Sequence, residues 1–229
     1  MIPEALDGKR IAITGGTGFL GTALIERLLR SVPGCSLVLL IRPGRRSTVA
    51  QRAKREIFGN NAFDRLRREL GKEGFEAMVA ERVTPIAGDV GSDGLALDDD
   101  GRAVLASCDV VIHSAATVSF DSPLDSAVEV NLLGPTLGMR AALPGMLEQG
   151  HGHIVNVASS AGKAAVPGGL NYCAQKAGII HLTEGARVEF GSRGIDFTCV
   201  MPSFTNTDLI AGTKGTRFIK NVEPEERIK

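Results

Sequence analysis

Tyr172 is the only tyrosine in the chain; Lys176 follows it by four residues and Ser159 precedes it by thirteen. A phenol with an ordinary pKa of about 10 is a poor base at neutral pH, and a nearby ammonium lowers that value by favouring the phenolate. The i, i+4 spacing puts both side chains on one helix face. A serine hydroxyl beside them completes what is needed to move a proton to or from a carbonyl oxygen. With 13 serines and 8 lysines among 229 residues, both offsets arise by chance about once in 500 tyrosines. The competing reading is a half-buried tyrosine on an ordinary surface helix, and the other end of the chain argues against it.

There the β-rich run Arg10 to Thr14 leads directly into Gly15-Gly-Thr-Gly18-Phe-Leu-Gly21 and then into an apolar periodic segment. Glycines at 15, 18 and 21 suit a dinucleotide site: a tight turn, a backbone close to the pyrophosphate, and a helix packed tightly on its strand. The amides of the helix N-terminus would face the phosphates. Thr14, Phe19 and Leu20 are counted with the cofactor-contacting turn, and Leu20, Leu24 and Leu28 with Ile25 and Leu29 are read as the buried stripe of that helix.

These residues need elements to hold them. Strands are predicted near 10 to 14, 36 to 42, 83 to 89, 109 to 115, 152 to 158 and 195 to 201, with helical patterns between them. Six strands separated by crossovers predict a parallel sheet, and runs such as Ile154-Val155-x-Val157 fit strands buried on both faces. The fold class is α/β, a doubly wound Rossmann-type sheet over residues 1–229, one domain with a helical insertion at about 47–81. Strand ends near Gly15, Asp89, His113, Ser159 and Pro202 then share the carboxyl edge, where ligands of such sheets sit. At the end of the second strand an NAD enzyme usually keeps an acid, whereas this chain has Arg42, then Arg45 and Arg46. Arginines there suit a 2′-phosphate, so NADP(H) is preferred over NAD(H).

Thr14-Gly15-x-x-Gly18-x-x-Gly21, Asn131, Ser159 and Tyr172-x-x-x-Lys176, in this order, resemble the short-chain dehydrogenase/reductase family over nearly the whole chain. The resemblance implies a nicotinamide cofactor and hydride transfer to or from a carbonyl or alcohol carbon. It implies that the glycines hold the pyrophosphate, that Asp89 with Val90 contacts the adenine, and that Ser114, Ala115 and Ala116 line the cofactor. Ser159 would orient the substrate oxygen, with the thirteen-residue interval favouring it over Ser160. Tyr172 would exchange the proton, Lys176 would bind the ribose and tune Tyr172, and Asn131 would hold a relay water. Pro202 and Thr207 would lie against the nicotinamide. The family also implies a homodimer, through helices around Leu124 to Leu147 and Asn171 to Phe190.

Two features depart from ordinary members. The insertion, with the glycine turn, Leu40-Ile41-Arg42, Gly88-Asp89-Val90 and Val111-Ile-His-Ser-Ala-Ala-Thr117, resembles the NADPH-binding half of fatty acyl-CoA and thioester reductases. From about Gly145 on, Gly152 to Ser160 and Pro202 to Thr207 resemble ordinary short-chain ketone/alcohol enzymes. The join lies near Val130 to Gly134, and the sheet is expected to run continuously through it. After Pro202 only Ser203 to Lys229 remain, so the usual seventh strand is expected to be missing and the substrate pocket partly unroofed. The function expected is an NADPH-dependent oxidoreductase acting on a carbonyl or alcohol, of a fatty or lipid-derived substrate. Alternatives are a fatty acyl-CoA/thioester reductase giving an aldehyde, and a nucleotide-binding protein with little or no catalytic activity.

Composition sets the limits. Hydrophobic residues make up 43% and charged residues 23%, enough for one good core and a water-exposed surface. The net charge is zero and aromatics are 4%, which speaks against a nucleic-acid partner. Arg42 through Arg82 carries 11 basic and 6 acidic residues, read mainly as a solvated face. No apolar run reaches the ~18 residues of a membrane span, and the start of the chain carries acid where a secretory signal needs base; a cytoplasmic location is expected. Cys35, Cys108, Cys173 and Cys199 form no C-x-x-C pair, so no metal is expected and reduced thiols are the default. His113, at a strand end, is expected to be satisfied by backbone rather than catalytic.

Overall fold

Short runs dense in Ile, Leu and Val become strands here because both of their faces find a cover. The computed structural model describes residues 2–117 and 123–203. Its strands are β1 (Arg10–Thr14), β2 (Ser36–Ile41), β3 (Val83–Ala87), β4 (Val110–His113), β5 (Gly152–Val157) and β6 (Ile195–Val200). They form one parallel sheet in the order β3-β2-β1-β4-β5-β6. The chain reverses its direction of travel across the sheet between β1 and β4, the switch point where ligands of doubly wound sheets bind.

The helices are α1 (Ile2–Leu6), α2 (Phe19–Ser31), α3 (Val49–Arg52), α4 (Asp64–Arg82), α5 (Asp99–Ala106), α6 (Leu124–Val128), α7 (Gly134–Gln149) and α8 (Leu170–Phe190). Successive strand residues point to opposite faces, and the core divides accordingly. Ile11, Ile13, Leu37, Leu39 and Ile41 pack with α2 and the insertion. Ala12, Val38, Leu40, Val111 and Ile154 pack with residues of α5, α7 and α8 on the other face.

The helical insertion expected at about 47–81 begins with α3 followed by a π turn, Ala53–Ile57, with Ala53 and Ile57 both buried. Thr48 and Gln51 form a reciprocal capping box at its start. Phe58, Phe63 and Phe75 close the insertion in a cluster with centroids 5.3 to 6.3 Å apart, Phe58 meeting both other rings edge to face. Ile57 reaches the glycine turn: a Cβ on Gly16 would lie 3.3 Å from its Cδ1. A second π turn, Glu129–Leu133, joins α6 to α7 where the two sequence likenesses meet, and β4 pairs with β5 without interruption. The sheet is therefore continuous through the join, as expected. Among the described residues no helix is long and apolar enough to cross a membrane.

Candidate active site

The turn after β1 is shaped by atoms that are missing. Gly15 has φ +73°, and a Cβ there would stand 2.6 Å from the Ala115 backbone nitrogen; one on Gly21 would stand 2.2 Å from the Gly15 carbonyl oxygen. Only glycine permits this approach. The Gly18 amide donates to the Gly15 oxygen at 3.0 Å, and the Thr22 hydroxyl donates to the Gly16 oxygen at 2.9 Å. Across the switch point, the Ser114 hydroxyl donates to the Thr14 oxygen at 2.7 Å and the Ala115 amide to the Thr14 hydroxyl at 3.3 Å. The chain leaves β4 at Ser114, two residues before the expected end. Such a cradle of close backbone at the start of α2 fits a pyrophosphate. The helix stripe needs one correction: Ile25, Leu28 and Leu29 are buried, but Leu20 is 41% exposed and Phe19 57% exposed. Their positions in the first turn place them at the open carboxyl edge rather than over the sheet.

At the end of β2, Arg42 faces Asp89 with Nη1 and Oδ2 3.9 Å apart. Asp89 is held by its own loop: its amide donates to the Leu95 oxygen at 2.7 Å and its carboxylate accepts from the Gly91 amide at 3.1 Å. Val90 packs beside it on the α5–α7 side of the core. Arg45 and Ala116 are exposed.

On the other side of the switch point, β5 delivers Ser159 and α8 delivers Tyr172 and Lys176. Ser159 and Tyr172 are hydrogen-bonded to each other, and the Ser159 oxygen also accepts from the Ala161 amide at 3.2 Å. Lys176 Nζ lies 5.6 Å from the centre of the Tyr172 ring and donates to the Val157 oxygen at 3.1 Å. The Ser160 amide donates to the Pro202 oxygen at 2.9 Å. The three side chains singled out by spacing do meet.

Their electrostatics differ from the expectation. Burial pushes the Tyr172 phenol up, against a smaller lowering by its bond to Ser159. Burial also lowers the Lys176 ammonium to about 8. Desolvation outweighs the one opposing influence, Cys199.

Asn131 is 1% exposed in the second π turn. Its Oδ1 accepts from the Thr117 amide at 2.8 Å, while Nδ2 donates to the Thr117 oxygen at 2.8 Å and to Gln175 Oε1 at 2.7 Å. Sequence reading missed Gln175, although it stands directly before Lys176 and one helical turn after Tyr172. His113 is only partly satisfied by backbone. It is 2% exposed, lies under Gly134 and Gly138 of α7, and the Ala115 backbone is its hydrogen-bonding neighbour, too loosely placed to satisfy either ring nitrogen fully among the described residues. Burial, then the Lys176 charge, lower it to about 3, with the Ala115 backbone the one opposing influence. It is a neutral imidazole. Asn156, its partner across β4 and β5, bonds Thr183 at 3.0 Å and leaves Oδ1 unpartnered. Thr207 lies outside the described residues. No group of three or more His, Cys, Asp or Glu side chains among the described residues could hold a metal.

The model of the male sterility protein family, an NAD-binding domain, matches residues 13–175, which takes in the glycine turn, the insertion, Asn131, Ser159 and Tyr172. The chain belongs to that family. Fatty acyl-CoA reductase 8 of Arabidopsis thaliana is 33% identical to this male sterility family member over 132 residues, 56% of this chain and 27% of that protein. The alcohol-forming fatty acyl-CoA reductase of Simmondsia chinensis is 37% identical over 136 residues, 58% of this chain and 27% of that protein. The chain thus spans about a quarter of the length of these curated relatives. Among solved structures, a 3-oxoacyl-[acyl-carrier protein] reductase from Brucella melitensis ATCC 23457 superposes with TM-score 0.70 at 22% identity, covering 99% of this chain and 83% of that one. A short chain dehydrogenase from Burkholderia cenocepacia J2315, solved in complex with NADP, gives 0.69 at 20% identity, covering 97% and 82%. The fold is that of short-chain dehydrogenases/reductases.

Proposed function

We propose that the chain is an NADPH-dependent reductase acting on the carbonyl carbon of a fatty or lipid-derived substrate. The observation that carries this reading is the meeting of Ser159, Tyr172 and Lys176 at the same sheet edge as the glycine turn. Bound NADPH would supply the hydride that reduces the carbonyl carbon. Gly15, Gly18 and Gly21 would hold its pyrophosphate, Arg42 and Arg45 its 2′-phosphate, Asp89 and Val90 its adenine. Ser114, Ala115, Ala116 and Pro202, with Thr207, would line the nicotinamide half.

Ser159 would hold the substrate oxygen by a hydrogen bond while Tyr172 gives that oxygen its proton, leaving an alcohol. A phenol that burial keeps protonated is suited to donate. Lys176 commits one of its three donors to Val157 and can offer others to the ribose. Asn131 braces Thr117 and Gln175 through its amide, and a relay water would use the remaining lone pair on its Oδ1. Leu133, Leu170 and Val188, 45%, 80% and 86% exposed on or beside α7 and α8, support a homodimer.

Tyr172→Phe is expected to lower kcat by a factor on the order of 10² or more while NADPH binding stays within about twofold. Turnover preserved in this variant would overturn the assignment. A second reading, reduction of an acyl thioester to an aldehyde, is favoured by the fatty acyl-CoA reductase relatives. Offering a fatty acyl-CoA and a fatty aldehyde separately, with NADPH absorbance followed, distinguishes the two. Tight NADPH binding with no turnover on either would point to a nucleotide-binding module.

A further inference from the structure

The arginines at the start of the insertion do two different jobs. Arg42 is 72% exposed on its side chain, and its ion pair with Asp89 is long at 3.9 Å; Arg45 is exposed and enters no ion pair among the described residues. Both keep a charge to offer a ligand. Arg52 keeps none. Its Nη1 donates to the Arg42 carbonyl oxygen, Nε to both Glu56 carboxylate oxygens at 3.1 Å, and Nη2 to Glu56 Oε2 at 2.6 Å. Glu56 is a full counter-charge, its carboxyl held down to about 2 by the bond from Arg52 and then by Arg55.

The surroundings make this grip rigid. Thr48 and Gln51 cap the helix that carries Arg52. The π turn after it sinks Ala53 and Ile57 into the core, 3% and 0% exposed. Gly44 packs onto the same stem, since a Cβ there would lie 2.3 Å from Ser47 Oγ and 3.4 Å from Arg52 Cδ. An anchored helix therefore grips, through one guanidinium, the backbone of the residue directly after β2.

We propose that Arg52 is a specificity-determining positioning residue: by holding the Arg42 carbonyl it fixes the loop after β2, so that Arg42 and Arg45 stand ready for the 2′-phosphate of the nucleotide. This inference rests on the NADPH reading. It assigns the insertion a task in cofactor choice beyond covering the sheet. Arg52 itself does not touch the phosphate, because its fork is used on Glu56 and on the loop.

The test measures dissociation constants for NADPH and NADH in the full chain, wild type and four variants, by nucleotide fluorescence. Arg52→Met keeps the aliphatic stem and removes the fork; it should weaken NADPH by about tenfold and NADH by less than about twofold. Arg42→Met should weaken NADPH similarly, and the double variant should lose little more, because one residue acts through the other. Arg52→Lys, which keeps a donor for the carbonyl, should fall between wild type and Arg52→Met, and it carries the test if the methionine variant does not fold. Equal losses for both nucleotides, or additive losses in the double variant, would overturn the inference and leave the NADPH reading standing. A wild-type chain that binds NADH as tightly as NADPH would overturn both.

Discussion

Lys176 offers the sharpest test of the electrostatics, because the structure predicts that removing it stabilises the fold. Its side chain is 2% exposed, and burial lowers its pKa from 10.5 to about 8. At about 1.4 kcal/mol for each tenfold change in proton affinity, keeping the ammonium costs the folded state about 3 kcal/mol at neutral pH. The sign follows from proton linkage. Between pH 8 and 10.5 the unfolded chain holds a proton that the folded chain has shed, so wild-type stability rises with pH across that window and the penalty is in full force below it. Lys176→Met removes the charge and keeps most of the apolar stem. It also leaves the Val157 carbonyl, now bonded at 3.1 Å, without its donor, at a cost of about 1 kcal/mol. The net expectation is a gain of about 2 kcal/mol at pH 7 that shrinks through pH 8 to 10.5 and becomes a loss of about 1 kcal/mol above it. Urea unfolding of both proteins at pH 7, 8.5 and 10 reads this directly. A methionine variant less stable than wild type at pH 7, or a difference that does not move with pH, would refute the argument that the ammonium is a desolvated charge retained for the site.

Two backbone predictions follow from local geometry. Ala96 is exposed with φ 50°, in a left-handed turn shared with Gly94 and Leu95, so Ala96→Gly should stabilise the chain by about 0.5 to 1 kcal/mol in chemical denaturation. Unchanged or lower stability would mean that the turn is not strained. Gly21→Ala would drive a Cβ into the Gly15 carbonyl, a backbone atom that cannot swing away, whereas Gly185 on α8 has open space around it. The first substitution should abolish NADPH binding and lower Tm by several degrees; Gly185→Ala, an exposed helix position, should gain roughly 0.5 to 1 kcal/mol. Similar outcomes for both would remove the steric argument for the turn.

Legibility in the sequence tracked how local each constraint was. The turn from Gly15 to Gly21 could be read because its requirement, absent Cβ atoms next to backbone, is a property of those residues alone. The parallel sheet could be read because runs such as Ile11 to Thr14 and Leu37 to Ile41 are buried on both faces, and such runs leave little other choice. What could not be read were pairings over long distances in sequence. Asn131 meets Gln175 across 44 residues, and no spacing rule points to it. Arg52 looked like one basic residue among eleven on a solvated face; only the fold shows it turned back onto Arg42. His113 was expected to find a backbone partner and has one in Ala115, but the close glycines of α7 that bury the imidazole could not be read from spacing.

The buried polar groups are spread unevenly, and the pattern ties stability to chemistry. Around α2 and the insertion the core is apolar apart from Thr14, Thr22 and Glu26; Glu26 is paired with Arg30 at 2.6 Å. Around α6 to α8 the chain buries His113, Asn131, Asn156, Gln175, Lys176 and Thr183, and among the described residues Asn156 Oδ1 has no partner and His113 only a loose one in the Ala115 backbone. Each unmade bond costs about 1 to 3 kcal/mol. A fold selected for stability alone would fill these positions with leucine or valine. The cost falls in the half that holds Ser159 and Tyr172, next to the cation whose own burial is unfavourable. Local rules broken together beside one candidate site, while the rest of the sheet obeys them, are the pattern expected of a site kept for chemistry rather than for packing.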